Sequence, residues 1–160
     1  MKYLQSGLVL IAGVLGAATA TSHTDHNVDA VRKTDVRETI LRRFLQANHS
    51  PVESYTRNFI QEADSHKLDW RLLPSLAFVE SGAGQTSKRN NIFGWNNGGY
   101  GFSSAAQAIH HVAEALAEAR PYKGKDLIGK LAAYNQTPGY RKLVTGVMAQ
   151  ICPVSAPEAL

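Results

Sequence analysis

The chain has 160 residues, 44% hydrophobic and 19% charged, which fits one globular domain and excludes disordered or collagen-like chains. A single cysteine excludes an internal disulfide framework and a cysteine-rich zinc module. The net charge of +4 (pI about 9.3) is scattered, with no Lys/Arg run, so it argues against nucleic acid and leaves an acidic polymer or surface as a partner.

Lys2 precedes an apolar run from Leu8 to Ala18 that ends in Ala18-Thr19-Ala20. A charged start, a short apolar core and an A-x-A ending predict a cleavable secretory signal peptide over residues 1–20, which would place the protein outside the cytoplasm, secreted or periplasmic. The run is too short for a stable membrane span. Cleavage would remove Lys2 and lower the net charge from +4 to +3. Residues 21–34 are polar and aperiodic, and are expected to form a flexible leader. His23 and His26 within it read as solvated side chains, because a metal site needs three or four fixed ligands.

From Asp35 to Cys152 the pattern is helical, and this stretch is the expected folded domain, followed by a tail over 153–160. Val36, Ile40, Leu41, Phe44 and Leu45 share a stripe, with Asp35 and Glu38 spaced as a capping pair. Ser50-Pro51-Val52-Glu53 reads as a helix start, with Val52, Tyr55, Phe59, Ile60 and Ala63 on one face. Asp69 is placed to cap a third helix reaching Ser81, with Pro74 bending or tightening its early turns. Residues 82–101 then change character, holding six of the 13 glycines and four asparagines. A loop of that length is functional or disordered. Phe93, Trp95 and Tyr100 argue against disorder. Ser103 or Ser104 caps the next helix, with Ile109, Val112, Ala113 and Leu116 as its stripe. Leu127, Ile128 and Leu131 suggest another helix, and Tyr140, Leu143, Val144, Val147 and Ile151 a last one. No stretch alternates with period two. The expectation is an all-α domain with a Gly/Asn-rich central loop.

The chemistry centres on Glu80. Leu73, Leu76, Ala77 and Glu80 are spaced i, i+3, i+4, i+7, so a carboxylate falls on the core-facing stripe at the C-terminal end of a helix. Desolvation and the helix dipole both disfavour a charged carboxylate in such a place. An acid so placed, opening onto an aromatic and asparagine-rich loop, suits a glycosidase general acid. The same pattern fits a structural acid bonded to backbone amides. From Ser81 to Ala113 there is no other Asp or Glu. The chain therefore favours one acid acting alone, with the acetamido group or 6-hydroxyl of a sugar supplying the second function. Trp95 and Tyr100 can stack on pyranose faces, and Asn90, Asn91, Asn96 and Asn97 can pair with hydroxyls. Phe93 and Trp95 could equally anchor the loop to the core.

These residues also carry a resemblance. Leu76-Ala77-Phe78-Val79-Glu80-Ser81-Gly82, followed by Asn91-Ile92-Phe93-Gly94-Trp95, resembles the lysozyme-like superfamily of murein-cleaving enzymes. The Glu-Ser-Gly segment is shared with soluble lytic transglycosylases. The Asn-Asn-Ile-Phe-Gly segment, then Phe102-Ser103-Ser104 and a helix, is more like the bacterial glucosaminidases (mannosyl-glycoprotein endo-β-N-acetylglucosaminidase-like). Ala132-Ala133-Tyr134-Asn135 with Pro138-Gly139-Tyr140 is similar to a transglycosylase segment. The resemblance covers about residues 52–151 and implies a lysozyme-like helical fold that cuts β-1,4 bonds between amino sugars of a peptidoglycan strand. It makes Glu80 the catalytic acid, with Ser81 holding the substrate or the Glu. Phe93 and Gly94 would shape the cleft floor, and Tyr134 and Asn135 would line it from across. The Gly-Leu-Met-Gln type segment that follows the Glu in transglycosylases is absent here. No metal or organic cofactor is implied, and a monomer is expected.

The remaining reactive residues are read as background. His110 and His111 are adjacent on a helix, so they point about 100° apart and cannot chelate one ion together. His110 and Glu114 form an i, i+4 surface pair. Cys152 has no evident histidine partner, so it reads as half of an intermolecular disulfide rather than a nucleophile. A non-catalytic glycan-binding or wall-assembly module, and a small helical secreted factor with a structural Glu80, are the rival readings.

Overall fold

A computed structural model describes residues 35–153, which contain six α-helices and no strand. The signal peptide and leader expected over 1–34 lie outside the described residues, as do residues 154–160. The all-α expectation holds for the described part. No helix there is long and apolar enough to cross a membrane.

Helix α1 (Val36–Ala47) starts at Asp35, whose carboxylate accepts from the Arg37 amide at 2.9 Å. Glu38 does not complete a capping box. It pairs with Arg57 of the next helix at 3.0 Å. Leu41 and Leu45 are buried, while Val36 at the end of the expected stripe is exposed.

The helix start expected at Ser50 is displaced. Helix α2 (Thr56–Ser65) follows a single 3-10 turn over Glu53–Tyr55. Ser50 Oγ accepts from the Val52 amide at 3.2 Å and donates to the Ala83 carbonyl at 2.8 Å, and Glu53 is held by Arg42. Partners distant in sequence take both groups that a capping box would have used, so the cap fails although its residues are present.

Helix α3 (Leu72–Ser81) is the central element. Leu72, Leu73, Pro74, Ser75, Leu76 and Ala77 are all buried, and the helix packs against α6 and α2 with a further contact to α4. Burying each leucine contributes roughly 1.5–3 kcal/mol. Pro74 lies in the first turn, where its missing amide would have had no helical partner anyway. Just before the helix, Asp69 accepts from the Arg71 amide at 3.0 Å. The Arg71 guanidinium grips the same carboxylate at 2.6 Å and also donates to the Cys152 carbonyl at 2.8 Å. This clamp joins the start of α3 to the end of α6.

Helix α4 (Ala105–Glu118) is capped by Ser104, whose Oγ accepts from the Gln107 amide at 3.1 Å. The Gln107 side chain reaches back to accept from the Ser103 amide at 2.7 Å. Helix α5 (Leu127–Tyr134) is capped by Asp126. Helix α6 (Tyr140–Ile151) starts at Gly139, whose φ of +85° lies in the left-handed region that glycine adopts freely. Ile128 and Leu143, expected in core stripes, are exposed, Leu143 by 61%. Both occupy the outward edge of a helix whose inward face is filled by other residues of the same stripe.

Two outcomes test this packing. Ser75 Oγ is buried without a hydrogen-bond partner among the described residues. Ser75→Ala removes that unmet polar group and adds helix propensity, so its thermal midpoint should rise, by a free energy of about 1 kcal/mol. Asp69 is the second case. Burial pushes its carboxyl up, but the hydrogen bonds and charge of Arg71 outweigh burial and hold it below the usual range. A depressed carboxyl contributes stability above its unfolded pKa of about 3.9 and loses it as the pH falls through the lower folded value. The melting-temperature gap between wild type and Asp69→Asn should therefore be constant at neutral pH and close in acid below about pH 4.

Candidate active site

Glu80 sits one residue before the end of α3, where the buried stripe of Leu73, Leu76 and Ala77 runs out of the core. Its side chain is half-buried and opens on a cleft, so the core-facing expectation is met by the helix but not by the carboxylate. The helix stops at Gly82 (φ +61°), and the Gly82 and Ala83 amides turn back to donate to the Phe78 and Ala77 carbonyls.

Tyr140, the first residue of α6, donates its hydroxyl to Glu80 Oε1 at 2.5 Å. Burial, the hydrogen bond to Glu80 and the charge of Glu80 together raise the Tyr140 phenol far above its usual range, so it stays a donor. Oε2 accepts no hydrogen bond among the described residues and faces Gly94. A Cβ at Gly94 would lie 3.3 Å from it, and the φ of +60° there also favours glycine. The loop backbone thus passes against the carboxylate where only a hydrogen-sized side chain fits comfortably.

The cleft has a volume of about 600 Å³ and is lined by Glu80, Gly94, Trp95, Asn96, Asn97, Tyr100, His111, Tyr122, Tyr134 and Asn135, with the Phe93 backbone. Its wall is a continuous aromatic run. Tyr134 stacks on Tyr140 (centroids 6.1 Å), Trp95 tilts against Tyr134 (6.2 Å), His111 meets Trp95 edge-on (5.5 Å), and Tyr100 stacks on His111 (5.8 Å). Burial, then the Glu80 and Tyr122 charges, raise the Tyr134 phenol as well. Its hydroxyl donates to the Phe93 carbonyl at 2.8 Å, which ties α5 to the loop. A smaller cavity of about 200 Å³, lined by Ser81, Thr86, Ser87, Lys88, Asn91 and Gly98, shares Glu80 and Gly94 with the cleft. The carboxylate therefore stands at the junction of two cavities. Among the described residues no other Asp or Glu lines either one, and Glu114 is exposed outside both.

Several expected roles move. Ser81 is buried, and its Oγ donates to the Ile92 carbonyl at 2.7 Å and accepts from the Gly84 amide at 2.9 Å, so it organises the loop while lining the smaller cavity rather than the larger cleft. Phe93 is a fully buried anchor that contributes its backbone. Asn91 is a buried staple: Nδ2 donates to the Trp95 and Tyr100 carbonyls and Oδ1 accepts from the Trp95 amide. Asn90 Nδ2 bonds the Phe102 carbonyl. Asn96 and Asn97 alone of the four asparagines face the cleft. Asn135 ends α5, as a helix-stopping Asn does, and also lines the cleft. Trp95, Tyr100 and Tyr134 are where the sequence placed them.

Sequence reasoning missed Tyr140, His111 and Tyr122. Tyr140 is legible as a core-stripe residue and as part of the Pro138-Gly139-Tyr140 segment, neither of which assigns it a role at Glu80, and its spacing from Glu80 of sixty residues gives no local signal. Another groove of about 690 Å³, between α3 and α6, is lined by Phe78, Val79, Leu143 and Lys142 among others. It holds no acid or base suited to proton transfer near neutrality.

The chain matches no family model, no curated protein and no solved structure. The site must therefore be read from its own chemistry.

Two substitutions check the loop's construction. Ser81→Ala strands the Gly84 amide in a buried place and should lower stability by about 1–3 kcal/mol. Gly94→Ala places a Cβ in the left-handed region, costing about 1–2 kcal/mol, and displaces Glu80 Oε2. Chemical denaturation reads both, and a Gly94→Ala midpoint equal to wild type would mean that the loop is free to yield there.

Proposed function

We propose that the protein is a murein glycosidase of lysozyme-like fold that cuts a β-1,4 bond between amino sugars of a peptidoglycan strand, in the manner of a glucosaminidase. The observation that carries this reading is the placement of Glu80, with one oxygen held by Tyr140 and the other open at the meeting point of two cavities. A glycan strand threaded through both would present its glycosidic oxygen to Oε2. The aromatic wall and Asn96, Asn97 and Asn135 supply stacking faces and hydroxyl partners on the larger side.

In this mechanism protonated Glu80 gives its proton to the glycosidic oxygen as the C1–O bond breaks, leaving an oxocarbenium-like sugar. Tyr140 fixes the carboxyl orientation through Oε1 and is a positioning residue. The resulting carboxylate then takes a proton from the incoming nucleophile as that oxygen bonds to C1. With no second acid lining the site, a two-carboxylate mechanism lacks its partner. The substrate's own acetamido oxygen or 6-hydroxyl supplies the missing function. Water as final acceptor gives a reducing sugar, and the 6-hydroxyl gives an anhydro-muramic end; the single carboxylate is the observation that keeps this second, lytic-transglycosylase outcome in play. The signal peptide read over residues 1–20 would deliver the enzyme to the wall, secreted or periplasmic. The modest positive charge suits an anionic wall polymer.

The test is mass spectrometry of soluble muropeptides released from purified peptidoglycan. Wild type should release fragments, and Glu80→Gln should lower the rate by about 10²–10⁴-fold while keeping its thermal midpoint. Reducing GlcNAc ends would fix the glucosaminidase chemistry, and anhydro-muramic ends the transglycosylase chemistry. Well-folded protein that binds murein and releases nothing would overturn catalysis and leave a glycan-binding module.

A further inference from the structure

On the side of α2 that faces α4, away from the cleft, three metal-ligating side chains converge. Glu62 on α2 and His66, the residue capping that helix's C-terminus, stand one turn apart, an i, i+4 spacing that brings their side chains together. His110 projects toward them from α4. Glu62 Oε2 lies 3.0 Å from His110 Nδ1 and 3.5 Å from His66 Nε2. All three ligand atoms lie within 4.8 Å of one another. The sequence pairs His110 with Glu114, but the fold directs it to Glu62 instead.

We propose that Glu62, His66 and His110 form a divalent transition-metal site of the zinc type, with water in the fourth position. Zinc bound to nitrogen or oxygen at about 2.0–2.2 Å in a tetrahedron sets its ligand atoms roughly 3.3–3.5 Å apart. The two carboxylate–imidazole edges already fall close to that separation. The His66–His110 edge lies within 4.8 Å, and the His110 side chain, 58% exposed, has room to adjust it. Two imidazoles and one carboxylate suit zinc and its neighbours, whereas calcium and magnesium prefer oxygen ligands alone. Glu62 and His66 are only about one-fifth exposed, so much of the ion's surroundings would be protein rather than water.

The ion would clip α2 to α4. That matters beyond stability, because the next residue, His111, projects about 100° away around α4 and forms part of the cleft wall against Trp95 and Tyr100. Fixing His110 fixes the helical turn that carries His111. The site stands independently of any activity in the cleft.

Calorimetric titration of the full chain with Zn²⁺ tests the proposal, alongside melting curves with and without the metal. The expected result is one saturable site whose affinity falls at least about tenfold in His66→Ala and in His110→Ala, with the metal-dependent rise in melting temperature lost in both. A variant with His23→Ala and His26→Ala together should bind as wild type does. Glu62→Gln, which keeps the side-chain shape, should weaken binding even if His66→Ala folds poorly. Absence of saturable binding in the full chain would overturn the proposal. So would equal affinity in His110→Ala, or loss of the site in the His23/His26 variant alone.

Discussion

A single short hydrogen bond, from the Tyr140 hydroxyl to Glu80 Oε1, joins the end of one helix to the start of another, and the rest of the fold makes that contact possible. Neither helix can shift independently. The body of α3 is sunk in the core, and the Asp69–Arg71–Cys152 clamp ties its beginning to the far end of α6. The two helices are thus fastened at both ends of their shared seam, by an ionic clamp at one and a phenol–carboxylate contact at the other. A carboxylate with one oxygen occupied has lost much of its rotational freedom, which is the condition for directing the other at a fixed point.

Much of this was legible in the chain because its signals are local. The helices over 72–81 and 105–118, and the long glycine- and asparagine-rich connection between them, follow from apolar spacing. The second helix follows also from a cap whose partner lies three residues away, as Ser104 and Gln107 show. Asp69 does not cap the first, which starts at Arg71 without a side-chain cap. Glu80 stood out for the same reason, as a charged residue at a stripe position. Signals failed wherever a distant partner decided the outcome. Ser50 has every local mark of a helix cap, yet the Ala83 carbonyl takes its proton. Ser81 and Asn91 line the smaller cavity, but their bonds to loop carbonyls and amides several residues away could not be read from spacing. Leu143 sits on a periodic stripe but beyond its buried edge. Tyr140 could not be found by spacing at all, because its role depends on how α6 lies against α3.

Adjacent residues with unlike roles recur, and they follow from helix geometry. His110 and His111 project about 100° apart, so α4 presents one imidazole to α2 and the other to the aromatic wall. Glu80 and Ser81 divide similarly at the end of α3, one facing the open cleft and the other buried beneath the loop. In each pair the chain places a reactive side chain beside one that fastens its surroundings, and a rigid helix holds the two in fixed relation.

The loop over 82–101 gains its form from its own backbone. Ala83, Arg89, Asn90, Asn96 and Asn97 all adopt positive φ without being glycine, a conformation costing about 1–2 kcal/mol for an ordinary side chain and less for Asn. Asn91, Ser81 and Tyr134 hold the loop between these residues, through hydrogen bonds to the backbone of Ile92, Gly84, Trp95, Tyr100 and Phe93. Ordering of the loop is therefore completed during folding. A ligand entering the cleft meets walls already shaped, so its binding entropy should reflect its own immobilisation and released water rather than the settling of the protein.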